Sequence, residues 1–196
     1  MTDPKDRSGF DDFRDLLERY GQAILWITGT SIVLPAAAYK VDILPPWPSG
    51  VVLITAVMQM VVMAVVFQIC QTAKRRAVTW SMIVVFVALL GLSSAYFLFM
   101  SDLTFTGGPA KERQVKGFVC SSEAMSMPRY AAKCPALDQD LIASATTADK
   151  LWTSESITRA RLLLLIVWIA SYGAFSSILV MLITFQSAQR GRFWRA

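Results

Sequence analysis

The chain contains no histidine among its 196 residues. That excludes His-ligated haem, most zinc centres and most general-base chemistry. Charge is also scarce: 17% of residues are charged, against about 25% in soluble proteins. The scarcity is concentrated. Residues 20–39, 50–73, 77–101 and 162–189 hold no Asp, Glu, Lys or Arg. Proton pumps and ion-coupled transporters ordinarily carry an ionisable group inside the bilayer, and these runs offer none. No glycine-rich phosphate loop, serine nucleophile motif or working carboxylate pair stands out. Asp138 and Asp140 read as favourable charges at a helix start. The expectation is a protein that is not an enzyme, with no cofactor and no metal site.

What is present is apolar length. A membrane helix needs roughly 20 apolar residues, and each of the four uncharged runs reaches that. Hydrophobic residues make up 55% of the chain, and the mean hydropathy is +0.47. The predicted fold is an all-α membrane protein with four transmembrane helices. An N-terminal amphipathic helix precedes them, and a small disulfide-tied extracytoplasmic cap lies between helices 3 and 4. The expected divisions are 1–20, amphipathic helix; 21–101, helices 1–3; 102–158, cap; 159–189, helix 4; and 190–196, basic tail. The first run starts too late and runs too long for a cleaved signal peptide, so it reads as a signal anchor.

Orientation follows from Lys and Arg, which stay on the cytoplasmic side of membrane ends. Lys74, Arg75 and Arg76 link runs two and three, and Arg190, Arg192 and Arg195 lie in the tail. Both termini are therefore expected inside, in a bacterial inner (plasma) membrane. Arg159 and Arg161 oppose this, since they fall at the outer end of helix 4, where arginine can snorkel to the headgroups. Cysteine is limited to three. Cys120 and Cys134 share the outer link and are expected to bridge there. Cys70 reads as a small buried apolar residue.

In the N-terminal segment, Phe10, Phe13, Leu17 and Tyr20 recur at helical intervals, and Ser8 and Asp11 have capping-box spacing. This helix either lies under the bundle against the 74–76 link or extends the first crossing. In the cap, Thr106-Gly107-Gly108-Pro109 is a turn signal. Leu137, Leu141, Ile142, Ala145, Ala148, Leu151 and Trp152 repeat at helical spacing, with Pro135 suited to the first turn. Strand signals are too few for a β domain.

Within the runs, Ala88, Gly91 and Ala95 form one small-residue stripe, and Ala170, Gly173, Ala174 and Ser177 form another. Small residues let helices approach closely in lipid. Each stripe serves either packing within the chain or association between chains. Thr28, Ser31 and Gln59 are the polar candidates for lining a path. A mid-membrane Gln serves equally as interhelical glue. The basic residues 74–76, 190, 192 and 195 are candidates for binding an anion, with Phe193 and Trp194 among them for base stacking or for interfacial anchoring.

The four runs and the outer-link Cys pair resemble the DsbB family of quinone-linked disulfide-forming membrane proteins. That family also uses a C-x-x-C pair in its first outer loop. Here residues 40–49 read Lys-Val-Asp-Ile-Leu-Pro-Pro-Trp-Pro-Ser, so the activity is not expected and the bridge is structural. Tetraspanins share a disulfide-bonded loop in that place, but their Cys-Cys-Gly motif is absent. The four runs, the short basic inner segments and the missing catalytic set are together similar in architecture to small multi-pass effectors of bacterial antiphage defence, including the Hailong-type channel effector. That resemblance implies a homo-oligomer in the lipid bilayer that permeabilises it on a cytoplasmic signal, either an anionic ligand (nucleotide or oligonucleotide) or a regulatory protein. The alternative expectation is a non-conducting scaffold or accessory subunit.

Overall fold

A computed structural model describes residues 29, 33, 35–40, 43–107, 112–135, 137, 141–142 and 148–193; for 71, 72, 107, 112 and 186–193 only the backbone course is described. The expected N-terminal amphipathic helix and most of the first run lie outside these residues, and 35–40 are helical.

Helix α1 covers Val51–Thr72. It starts where Pro48 and Gly50 turn the chain. Gly50 has φ of +89°, a left-handed conformation that glycine adopts without a Cβ penalty. Ala73 and Lys74 are extended, and helix α2, Arg75–Leu103, begins immediately after them. Strand β1, Thr104–Gly107, pairs antiparallel with β2, Glu112–Val115. The short helices α3, Ser122–Ser126, α4, Pro128–Ala131, and α5, Ala148–Leu151, build the rest of the cap. Helix α6, Ser154–Phe193, has 40 residues. At 1.5 Å per residue it is about 60 Å long, twice the roughly 30 Å bilayer core.

Among the described residues, three helices are long and apolar enough to cross a membrane: Val51–Cys70, Arg75–Leu103 and the Ser154–Phe185 part of α6. The long helix is the hub. Both α1 and α2 pack along it, and they contact each other little. Along its length α2 buries only Tyr96 and Met100. Its exposed Trp80, Val84, Val87 and Leu98 would be costly against water and cost nothing against lipid tails.

Among the described residues there are two apolar clusters. One joins Tyr96 and Met100 of α2 to Leu164 and Trp168 of α6, with Leu44 and Val115 sealing its cap end. Tyr96 donates its hydroxyl to the Ile43 carbonyl at 2.6 Å, and its ring lies 5.1 Å from that of Trp168. The other cluster is the cap core around Trp152, with Leu137, Leu141, Ile142, Leu151 and Ile157.

The cap departs from expectation in two respects. It contains a β-hairpin, so the fold is not purely helical. Nor is 137–152 one described helix. Pro135 follows a cis bond in a bend, α5 spans only four residues, and Trp152 pairs in a bridge with Cys120. The apolar side chains of this segment are buried as their spacing suggests. They close a small core from short pieces, and that core needs inward-facing residues from any backbone conformation. Helix α6 also begins at Ser154, five residues before the expected start at 159, and Glu155 pairs with Arg159 at i,i+4 in this added stretch.

Candidate functional site

Gln59 is buried, with 1% of its surface exposed. It faces α6, and its Nε2 donates to Ser176 Oγ at 3.0 Å. Ser176 Oγ in turn donates to the Tyr172 carbonyl one turn back on its own helix, at 2.7 Å. The same device appears with the helices exchanged. Trp168 Nε1 of α6 donates to Thr55 Oγ1 of α1 at 3.0 Å, and Thr55 donates back to the Val51 carbonyl at 2.7 Å. In each case a nitrogen donor crosses the seam to a hydroxyl whose own proton is already spent on the i−4 carbonyl. The hydroxyl is thereby fixed as an acceptor. Among the described residues Gln59 Oε1 has no partner. Gln59 therefore belongs to the α1–α6 seam and is closed to solvent. Thr28 and Ser31 lie outside the described residues.

The two small-residue stripes have different surroundings. In α6, Ser177 is buried and donates to the Gly173 carbonyl at 2.7 Å. A Cβ on Gly173 would lie 3.9 Å from Val62 of α1, and Ala170 and Ala174 are half-buried. That stripe is occupied within the chain. In α2, Ala88 and Gly91 are exposed, Ala95 is half-buried, and a Cβ on Gly91 would meet no described residue within 4 Å.

The basic end is partly assembled. Lys74, Arg75 and Arg76 are all exposed. The Arg75 guanidinium lies over the Phe185 ring of α6, 4.5 Å from its centroid. This cation–π contact pins the 74–76 link beside the stretch of α6 that continues through Arg190 and Arg192, whose backbone is helical. Arg195 and Trp194 lie outside the described residues. Phe185 was not singled out from the sequence: an aromatic at the end of an apolar run gives no sign of the cation that will cover it.

Cys120 and Cys134 are bridged, with Cα atoms 6.4 Å apart, and Cys70 is a buried free thiol. The bridge packs against the cap core. Ser121 beside it caps α3 by accepting from the Ala124 amide at 3.1 Å, and donates to the Lys150 carbonyl at 2.6 Å. Gly117 permits a close approach in the cap. A Cβ there would fall 2.6 Å from Trp152 Cβ and onto Ser156 Oγ.

Comparison of the chain with protein-family models, curated proteins and solved structures finds no match.

Proposed function

We propose that the chain forms a homo-oligomeric channel or membrane-permeabilising effector of a bacterial inner membrane. Both termini and the 74–76 link are placed on the cytoplasmic side, where an anionic ligand or a regulatory protein gates it. One observation carries this reading. Among the described residues nothing covers the small-residue face of α2 at Gly91, while Gly173 and Ser177 of its counterpart on α6 meet α1 or are buried within the chain. Small residues allow backbones of neighbouring copies to approach, and among the described residues α2 packs mainly against α6. Copies joined through such a face close most simply around an axis.

The basic end supports the gating part. Three exposed cations per subunit at 74–76, with Arg190 and Arg192 further along the adjoining helix, become a concentrated positive rim on oligomerisation. The likeness to antiphage effectors supplies the proposed setting.

A second reading, a non-conducting scaffold, is favoured by the α1–α6 seam. Gln59 is hydrogen-bonded to Ser176 and Trp168 to Thr55 across this seam, so a path would need other walls, such as the α2 face with its exposed Ser81 or the first run with Thr28 and Ser31. Purified protein in sealed vesicles separates the two. Ion leakage, together with a mass of several chains in lipid nanodiscs, supports the channel. A single-chain mass with tight vesicles leaves the scaffold.

A further inference from the structure

Arg161 is the last charged residue before the uncharged stretch of α6, which puts it at the depth where a bilayer core gives way to headgroups. It lines a cavity of about 280 Å³ together with Arg113 and Gln114 of β2, Asp149 and Ala148 of α5, and Pro46 of the link before α1. The link before α1, strand β2 and the adjoining helices α5 and α6 therefore meet at this point. Gln114 fastens two of them, its Oε1 accepting from the Ala148 amide at 2.8 Å. The lining carries two guanidinium groups against one carboxylate.

One donor in this cavity is unspent. Arg161 Nε is buried and finds no acceptor among the described residues. A buried donor without a partner is costly, and more so when it belongs to a charged group. Its neighbour Arg159 differs: it is exposed and already donates to Glu155 Oε1 at 2.6 Å. Helix pairing therefore accounts for Arg159, whereas Arg161 points to a missing acceptor.

We infer that this cavity is a binding site for a phosphate group, with Arg161 as its principal donor and Arg113 as a second cation. A guanidinium presents its N–H groups in a planar fork that matches phosphate oxygens, and the site lies where lipid phosphates lie. The phosphate is that of a lipid headgroup or a free ion. The inference rests on the membrane placement of α6 and is independent of whether the protein conducts.

The test uses full-length protein in mild detergent, titrated with short-chain phosphatidate and, separately, with inorganic phosphate, with binding read by thermophoresis. Saturable binding of phosphatidate is expected. Arg161→Gln and Arg113→Gln should each weaken it, the first by about tenfold to a hundredfold, while Arg159→Gln leaves it unchanged. Binding of phosphatidate alone assigns the site to lipid; Arg161-dependent binding of both probes assigns it to phosphate from either source. An intact 120–134 bridge and monodisperse elution certify that the variants are folded. Absence of binding by the unaltered protein overturns the inference, as does equal affinity in folded Arg161→Gln and Arg113→Gln.

Discussion

Gln59 and Ser176, 117 residues apart in sequence, are joined by a hydrogen bond of 3.0 Å between Nε2 and Oγ. The bond is asymmetric in its consequences. Gln59→Leu removes the donor together with an Oε1 that has no described partner, so one loss offsets the other and stability should change by less than about 1 kcal/mol. Ser176→Val leaves the whole buried amide unpartnered and should cost about 1–2 kcal/mol. Thermal unfolding of the two variants in detergent measures the order. If Gln59→Leu proves the more damaging, this account of the seam is wrong.

Gly117 and Gly50 separate packing from backbone strain. Gly117→Ala drives a methyl into Trp152 and Ser156, where buried backbone and ring leave little room to yield. It should destabilise the cap by about 1–3 kcal/mol. Gly50→Ala meets open space but keeps φ at +89°, for about 1 kcal/mol. Tryptophan fluorescence during denaturation should report the first change strongly, because Trp152 is fully buried. Equal shifts for both variants would show that Gly117 is not a packing position.

Replacing Cys120 and Cys134 together with serine removes a closed loop of about 15 residues, an effect of about 3 kcal/mol in the chain-entropy model. The cap should become sensitive to protease between 104 and 152 while the helical signal of α1, α2 and α6 persists. The spans have their own contacts in the α1–α6 seam and the Tyr96–Trp168 cluster, so loss of the cap should not unravel them. Simultaneous loss of helix content would show instead that cap and spans fold as one unit.

These variants also show where the sequence was legible. Long apolar runs are a local property, so the uncharged runs 50–73, 77–101 and 162–189 already marked the helices that cover 51–70, 75–103 and 154–185, though not their ends. The bridge was readable because only two cysteines share the link. Periodicity gives a face but not its neighbour, so the α2 and α6 stripes looked alike although, among the described residues, Gly173 meets Val62 and Gly91 meets nothing. The hairpin was half visible. Its turn signal at 106–109 was clear, but Glu112-Arg113-Gln114-Val115 has mostly residues that are poor or indifferent strand formers, and pairing with 104–107 supplies what propensity does not. The pairing of Arg75 with Phe185 and the convergence of Arg113 with Arg161 depend on contacts across the fold, which no local pattern encodes.

Topology is tested by single cysteines. Glu112→Cys should react with an impermeant thiol reagent on intact cells, and Arg192→Cys only after permeabilisation. The positive-inside bias at 74–76 and 190–195 motivates this, and α6 is long enough to carry both ends clear of the bilayer core. The reverse labelling pattern would invert the protein and place the Arg161 cavity on the cytoplasmic face.

Association is expected to depend on Gly91 and hardly on Gly173. Gly91→Leu adds bulk to an exposed α2 face where no described residue stands within 4 Å of a Cβ. The subunit should fold normally, while close approach between copies is blocked. Gly173→Leu acts inside the subunit, where Val62 already lies 3.9 Å from the position of a Cβ. It should lower stability by about 1–3 kcal/mol through overpacking, with association lost only as far as folding is lost. Mass in nanodiscs and thermal unfolding, measured together, distinguish the two. A Gly91→Leu protein that keeps both its wild-type mass and its wild-type leakage would remove α2 as the interface. The channel reading would lose the observation that carries it.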